Sequence, residues 1–353
     1  MLRGAGGSGP MMYLSVLGGF VLLMLCGDLL VRGAVALAAR FGVPSLVIAL
    51  TIVAVGTSMP ELVISADAAL QGSSDIALGN VVGSNIANIL LVLGLPALIY
   101  PMSCADGSLK RNTMIMLGAS VLLIALCLLG PLNRGEGLLL LVLLGIYIAW
   151  SLLEVQTHRL EARARAAEAR ALALEVKETG KAMEAAVEQV IVRDVPTVTM
   201  SWLVIAALIL VGCAGLPVGA HLVVAGGTAI ARAFSVPEAT IALSLVAIGT
   251  SLPELSTSLM AAWRKEHDIA IGNVIGSNIV NILGILGVSS LIAPLPVAAT
   301  FLHVDLWVML LAAFAIVPTV MARGSITWWK GAAFVLAYAI YIVSILHRGS
   351  ALI

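Results

Sequence analysis

ALTIVAVGTSMPEL at residues 49–62 and ALSLVAIGTSLPEL at residues 242–255 are two versions of one segment. The pairing continues with DIALGNVVGSNIANILLVLG (75–94) over DIAIGNVIGSNIVNILGILG (268–287). A shift of 193 residues aligns 28–94 with 221–287 without a gap, and 28 of the 46 positions in 49–94 are identical to their partners in 242–287. Outside this block the two halves agree only in hydropathy. Repetition at a fixed offset decides architecture before any single motif does. The chain is two copies of one unit.

The setting of those copies follows from composition. Of 353 residues, 61% are hydrophobic and 11% charged, where soluble domains carry about 25% charged residues. Blocks 4–27, 76–105, 112–133, 195–231 and 269–304 contain no Asp, Glu, Lys or Arg. A helix needs about 20 apolar residues to cross the hydrocarbon core. The blocks and their Gly, Pro and charged punctuation predict an all-α polytopic membrane protein with ten spans. These are roughly 11–31, 44–70, 75–100, 112–131, 136–153, 200–224, 237–263, 268–293, 303–322 and 328–347.

Five spans per copy is an odd number, so the second copy must enter the membrane upside down, the inverted-repeat plan of secondary transporters. The domains expected are a first five-helix repeat at 1–153, a charged helical cytoplasmic linker at 154–199 and a second repeat at 200–353. The repeated motif lies at about 49–94 in one and 242–287 in the other.

Basic residues orient the plan. Loops after odd-numbered spans carry Arg32, Arg40, Lys110, Arg111, Arg264, Lys265, Arg323 and Lys330, with seven more in 154–194; the other side has Arg3, Arg134, Arg232 and Arg348. Positive loops stay in the cytoplasm, which places both termini outside. Trp150, Trp202, Trp263, Trp328 and Trp329 fall at the same cytoplasmic ends, as an aromatic belt would. The formal net charge is zero and gives no footprint for nucleic acid. Cys26, Cys104, Cys127 and Cys213 are scattered without CxxC spacing and read as small apolar packers. The apolar run after Arg3 is no signal peptide, because it leads into a segment repeated later in the chain.

Glu61 and Glu254 lie inside apolar spans with no basic residue nearby in the same span. A charge at the bilayer centre costs several kcal/mol, so it faces a cavity, a partner or an ion. Thr57, Ser58 and Glu61 share one helix face, as do Thr250, Ser251 and Glu254. Pro60 and Pro253 have no N–H for the carbonyls of Gly56 and Gly249, so each helix is expected to break beside its acid. Freed carbonyls are tolerated at membrane depth only where protein or a water-filled cavity satisfies them.

Asn80, Ser84 and Asn88 recur at i, i+4 and i+8, matched by Asn273, Ser277 and Asn281. Carboxylate, hydroxyl, amide and carbonyl oxygens make a shell for a hard cation such as Ca2+, and two carboxylates balance one divalent ion. For Asn80, Asn85, Asn273 and Asn278, bonding between helices and ligation stand level; for Ser84, Asn88, Ser277 and Asn281 ligation is favoured. Gly79 and Gly83, like Gly272 and Gly276, form small-xxx-small faces for close helix approach.

GTSMPEL…GNVVGSNIAN and GTSLPEL…GNVIGSNIVN resemble the two alpha-repeats of the cation/Ca2+ exchanger superfamily, in its prokaryotic sodium/calcium exchanger branch. The resemblance covers nearly the whole ten-span plan. It implies a Ca2+/Na+ antiporter of a bacterial inner membrane, without a cofactor, and four cation sites at the midplane. The ligands it implies are Thr57, Ser58, Glu61, Ser84 and Asn88 with Thr250, Ser251, Glu254, Ser277 and Asn281, joined by the carbonyls of Ala54 and Ala247. It also implies that the first and sixth spans slide across the other eight. Some relatives carry Asp where this chain has Asn281, a departure that bears on proton and potassium chemistry.

Other acids are weaker candidates. Asp28 sits four residues before Arg32, a favourable surface pair, and Asp67 lies toward the outer end of its span. His221 and His303 have no metal spacing. A proton-coupled Ca2+ exchanger remains the nearest competing function and a cation channel the next. HExxH, GxSxG and phosphate-loop motifs are absent from the sequence.

Overall fold

A computed structural model of the protein describes residues 9–179, 200–234 and 247–350. The first copy runs α1 (Gly9–Phe41), α2 (Ser45–Thr57), α3 (Met59–Leu70), α4 (Ser74–Ile99), α5 (Gly107–Leu129) and α6 (Arg134–Thr179). The second runs α7 (Trp202–Ala233), α8 (Ala247–Thr250), α9 (Leu252–Trp263), α10 (His267–Ile292), α11 (Phe301–Met321) and α12 (Trp328–Ser350).

Among the described residues, eight helices are long and apolar enough to cross a membrane, and the α2–α3 pair, bent by 45°, makes a ninth. The one remaining expected span, the seventh at 237–263, is described only from Ala247 onward, where it forms α8 and α9. Two spans outrun their expected ends. α1 continues past 31 to Phe41 because nothing breaks it before Gly42, which adopts φ 68°. α6 continues past 153 to Thr179 in an Ala/Glu/Arg-rich run of strong helix formers. Residues 180–199 of the expected linker lie outside the described residues.

The inversion is visible where α1 meets α7. A Cβ on Gly33 would touch Ile209, and one on Gly226 would touch Val16. These two contacts exchange under the 193-residue shift, so the equivalent helices run antiparallel about a pseudo-twofold axis. The seam is tight: a Cβ on Gly19 would sit 2.8 Å from the Gly219 carbonyl oxygen, a distance only glycine permits.

Connections sort to two ends, as the alternation of spans requires. After the third and ninth spans, β1 (Met102–Ser103) and β2 (Ser325–Ile326) pair antiparallel. After the fourth and eighth, Leu132 bridges Leu295. Arg40 Nη1 donates to the Met200 carbonyl at 2.8 Å and stacks over Trp202. Arg111 likewise stacks over Trp150. At the opposite end Arg348 binds Asp305 at 2.8 Å, and Tyr341 donates to the same carboxylate at 3.3 Å. Cys104, in the loop beside β1, is fully buried, and burial pushes its thiol up to about 11. It is a packer, as the scattered cysteines suggest.

α10 forms the centre. Every residue from Ile269 to Gly287 is buried, and a Cβ on Gly276 would lie 2.6 Å from the Leu50 carbonyl oxygen and 2.7 Å from Ala54 Cβ. The small-xxx-small face expected at Gly272 and Gly276 therefore lets α10 lie directly on α2. Residue 243, which the repeat aligns with Leu50, lies outside the described residues.

Candidate cation site

Each broken helix stops at a serine. Ser58 (φ −84°, ψ 5°) ends α2, and Ser251 (φ −86°, ψ 3°) ends α8. Pro60 and Pro253 then fall in the first turn of α3 and α9, where a missing N–H costs nothing. The break expected from proline is present in both copies. Its consequence for the acids is more specific than expected: Glu61 and Glu254 occupy the first turns of α3 and α9. Helix N-termini favour negative charge, so each half-helix partly offsets the cost of its buried carboxylate.

The broken helix of one copy faces the motif helix of the other. Thr57 Oγ1 donates to Asn273 Oδ1 at 3.1 Å and lies 3.4 Å from Ser277 Oγ. Ser84 Oγ and Thr250 Oγ1 are 3.5 Å apart. Ser58 Oγ donates to Glu254 Oε1 at 3.2 Å, crossing from one copy to the other. Both glutamates are 0% exposed, and Thr57, Ser58, Ser84, Asn88, Thr250, Ser251, Ser277 and Asn281 are buried around them. Among the described residues neither glutamate has a basic partner.

The oxygens left over define the chemistry. Glu61 Oε1 and Oε2, Glu254 Oε2, Ser251 Oγ, Asn88 Oδ1 and Asn281 Oδ1 are buried without a hydrogen-bond partner among the described residues. A buried polar atom without a partner costs about 1–3 kcal/mol, more when charged. Six such atoms lie in one repeated motif. Among the described residues no three His, Cys, Asp or Glu side chains converge. The site offers two carboxylates and otherwise neutral oxygens.

The other expected residues have local partners. The Ala54 carbonyl accepts from Ser58 N–H at 3.1 Å and from the Thr57 hydroxyl at 3.3 Å. In the second copy Ser251 N–H bonds the Ile248 carbonyl at 3.1 Å, and Ala247 opens α8. Asn80 Nδ2 ties α4 to α3 through the Glu61 carbonyl (3.1 Å) and Ser65 Oγ (2.8 Å). Asp28 forms its expected pair with Arg32 at 2.9 Å and binds Arg264 on the loop after α9 as well. Asp67 accepts from Gln71 at 2.6 Å, a surface contact.

Two features escaped the sequence reading. π-helical turns begin at Asn88 and at Asn281, over Asn88–Val92 and Asn281–Ile285. Such turns concentrate at functional sites, but nothing in local composition marks them. The part-buried Asp305–Arg348 pair joins residues 43 apart, a separation no local pattern reveals.

Two proline-broken helices, inverted by repetition and meeting over a buried pair of carboxylates, define a secondary transporter of the inverted-repeat class. The chain belongs to the sodium/calcium exchanger protein family, which matches residues 11–153 and again 204–346. The two matches start 193 residues apart, the offset of the motif repeat. Among curated relatives, the inner membrane protein YrbG of Escherichia coli is 38% identical over 78% of this chain and 78% of its own length. The sodium/calcium exchanger MaX1 of Methanosarcina acetivorans is 32% identical over 95% of this chain and 98% of its own. A solved structure of the sodium-calcium exchanger NCX_Mj, soaked with zero Na+ and Ca2+, superposes with a TM-score of 0.76 at 32% identity. It covers 95% of this chain and 99% of that one.

Proposed function

We propose that this integral multi-pass membrane protein exchanges Ca2+ for Na+ by alternating access, at a site shared by its two repeats. The observation that carries the reading is the set of six buried, unpartnered oxygens contributed by Glu61, Glu254, Ser251, Asn88 and Asn281. Ca2+ takes 6–8 oxygens in flexible geometry, and the two carboxylates neutralise its charge. Na+ needs fewer charges and suits the neutral hydroxyls and amides. Family membership and the named exchangers it resembles point to the same pair of ions.

The ligand set we assign is Thr57, Ser58, Glu61, Ser84, Asn88, Thr250, Ser251, Glu254, Ser277 and Asn281, with the carbonyls of Ala54 and Ala247. In the moving pair, α1 and α7 slide together along their glycine seam against the rest. That motion must break two links to the second motif: the Asp28–Arg264 ion pair and the 2.5 Å bond from Ser256 Oγ to the Leu23 carbonyl. Both termini lie outside the cytoplasm in this scheme. In a background without the four cysteines, a thiol at Gln71 reacts with impermeant reagents on intact cells and one at Lys265 is shielded; the reverse pattern inverts the orientation.

Radiolabelled Ca2+ flux in proteoliposomes tests the function. Vesicles loaded with Na+ should take up Ca2+ saturably when the outward Na+ gradient is imposed, and respond little to a pH gradient alone. Equal uptake driven by protons without Na+ would make the protein a proton-coupled exchanger. Unsaturable flux that simply follows the Ca2+ gradient would make it a channel.

A further inference from the structure

The orientation of Asn88 and Asn281 is dictated by two other asparagines, each three residues earlier in its motif. Asn85 Nδ2 donates to the Asn278 backbone carbonyl, and Asn278 Nδ2 donates to the Asn85 backbone carbonyl, each at 3.3 Å. A backbone carbonyl can only accept, so the amide end that faces it must be the NH2. The Oδ1 ends of Asn85 and Asn278 are thereby turned toward the neighbouring carboxamides. Asn281 Nδ2 donates to Asn85 Oδ1, and Asn88 Nδ2 donates to Asn278 Oδ1, each at 3.0 Å. With the NH2 groups engaged, Asn88 and Asn281 have only Oδ1 left for the site, and both of those atoms are buried and unpartnered.

Turning any one of the four amides would set oxygen against oxygen or NH2 against NH2. The polarity thus propagates from two backbone carbonyls, through Asn85 and Asn278, to the atoms that face the cargo. Every bond in the network runs from α4 to α10 or back, so the pattern exists only while the two repeats are in register. All four asparagines are buried, and water does not compete for their donors.

We propose that Asn85 and Asn278 are positioning residues, a crossed amide clamp that makes Asn88 and Asn281 present carbonyl oxygen and never NH2 to the transported cation. The proposal rests on the reading above, in which Asn88 and Asn281 ligate the cargo. Outer partners that orient a ligand typically change metal affinity by about 10–100-fold when removed.

Asn278→Leu keeps the volume of the side chain and removes both of its polar ends. In Na+-driven Ca2+ uptake, its KM for Ca2+ should rise about tenfold or more with kcat little changed, because the Asn88 amide is then free to turn. An unchanged KM, with only lower kcat or lower thermal stability, would reduce Asn278 to a packing residue and overturn the proposal. If the leucine variant does not fold, Asn85→Leu, the equivalent change on the other repeat, decides: it frees the Asn281 amide, so its KM for Ca2+ should rise about tenfold with kcat little changed, and an unchanged KM counts against the clamp. Glu254→Gln run alongside separates the two failures. Parental flux in that variant sinks the site itself, whereas a silent Glu254→Gln with parental KM in Asn278→Leu sinks the clamp alone.

Discussion

The turn Thr57–Ser58–Glu61 and the turn Thr250–Ser251–Glu254 share their residue types, their break and their burial, yet they are wired differently. Ser58 donates to Glu254, whereas Ser251 Oγ and both oxygens of Glu61 have no partner among the described residues. Identical chemistry in an inverted pair therefore does not impose identical states. One carboxylate is partly solvated by a protein hydroxyl, and the other has its helix N-terminus alone. A site that satisfied all its own oxygens would have no use for an ion, and both turns leave oxygens unpartnered.

The most severe way to break this comparison is to neutralise either acid. Glu61→Gln and Glu254→Gln should each nearly abolish Ca2+ flux while the protein still folds, since one remaining carboxylate leaves a divalent ion half neutralised in a dry site. Reconstituted transport, with folding checked by monodisperse elution, reads the result. Normal flux in one variant would show that the two turns do not act as a pair.

Next in size is a change in packing. Gly276→Ala places a Cβ 2.6 Å from the Leu50 carbonyl oxygen, a backbone atom that cannot step aside. Overpacking of this kind costs about 1–3 kcal/mol, so the melting temperature in detergent should fall. An unchanged melting temperature would mean that α10 and α2 are not in direct contact.

A smaller effect sharpens the difference between the turns. Ser58→Ala removes both a proposed ligand oxygen and the donor to Glu254, while Ser251→Ala removes a proposed ligand oxygen alone. The KM for Ca2+ should rise further in the first variant than in the second, and equal values would erase the asymmetry.

The smallest expected effect is none at all. Asn88 and Asn281 offer oxygen without charge, so Glu61 and Glu254 together neutralise one Ca2+ and leave nothing to offset a cotransported K+. Replacing K+ by choline on both sides, with the potential clamped, should leave Na+-driven Ca2+ flux unchanged; collapse of exchange would refute the charge count.

The architecture was legible because the repeat is nearly gapless and the spans are long. Pro60 and Pro253 announced the breaks by chemistry alone, and the glutamates stood out as lone charges in apolar surroundings. The span ends were less legible, since hydropathy marks where a segment leaves the hydrocarbon and not where its helix stops; α1 and α6 both continue well into charged sequence. The site beyond the glutamates was only half legible. Spacing put Ser84, Asn88, Ser277 and Asn281 on faces that are buried in the structure, but left Asn85 and Asn278 undecided between ligation and bonding. What distinguishes them is the direction of each amide, set by backbone carbonyls on the opposite repeat. That is a property of the assembled pair of helices and of no single motif.

The most direct test of the central claim is equilibrium binding of radiolabelled Ca2+ to the purified protein, titrated with Na+ and separately with K+. The account predicts one Ca2+ per chain, displaced by Na+ and not by K+, and lost in both Glu61→Gln and Glu254→Gln. Ca2+ retained at parental affinity in either variant, or left in place by Na+, would contradict it.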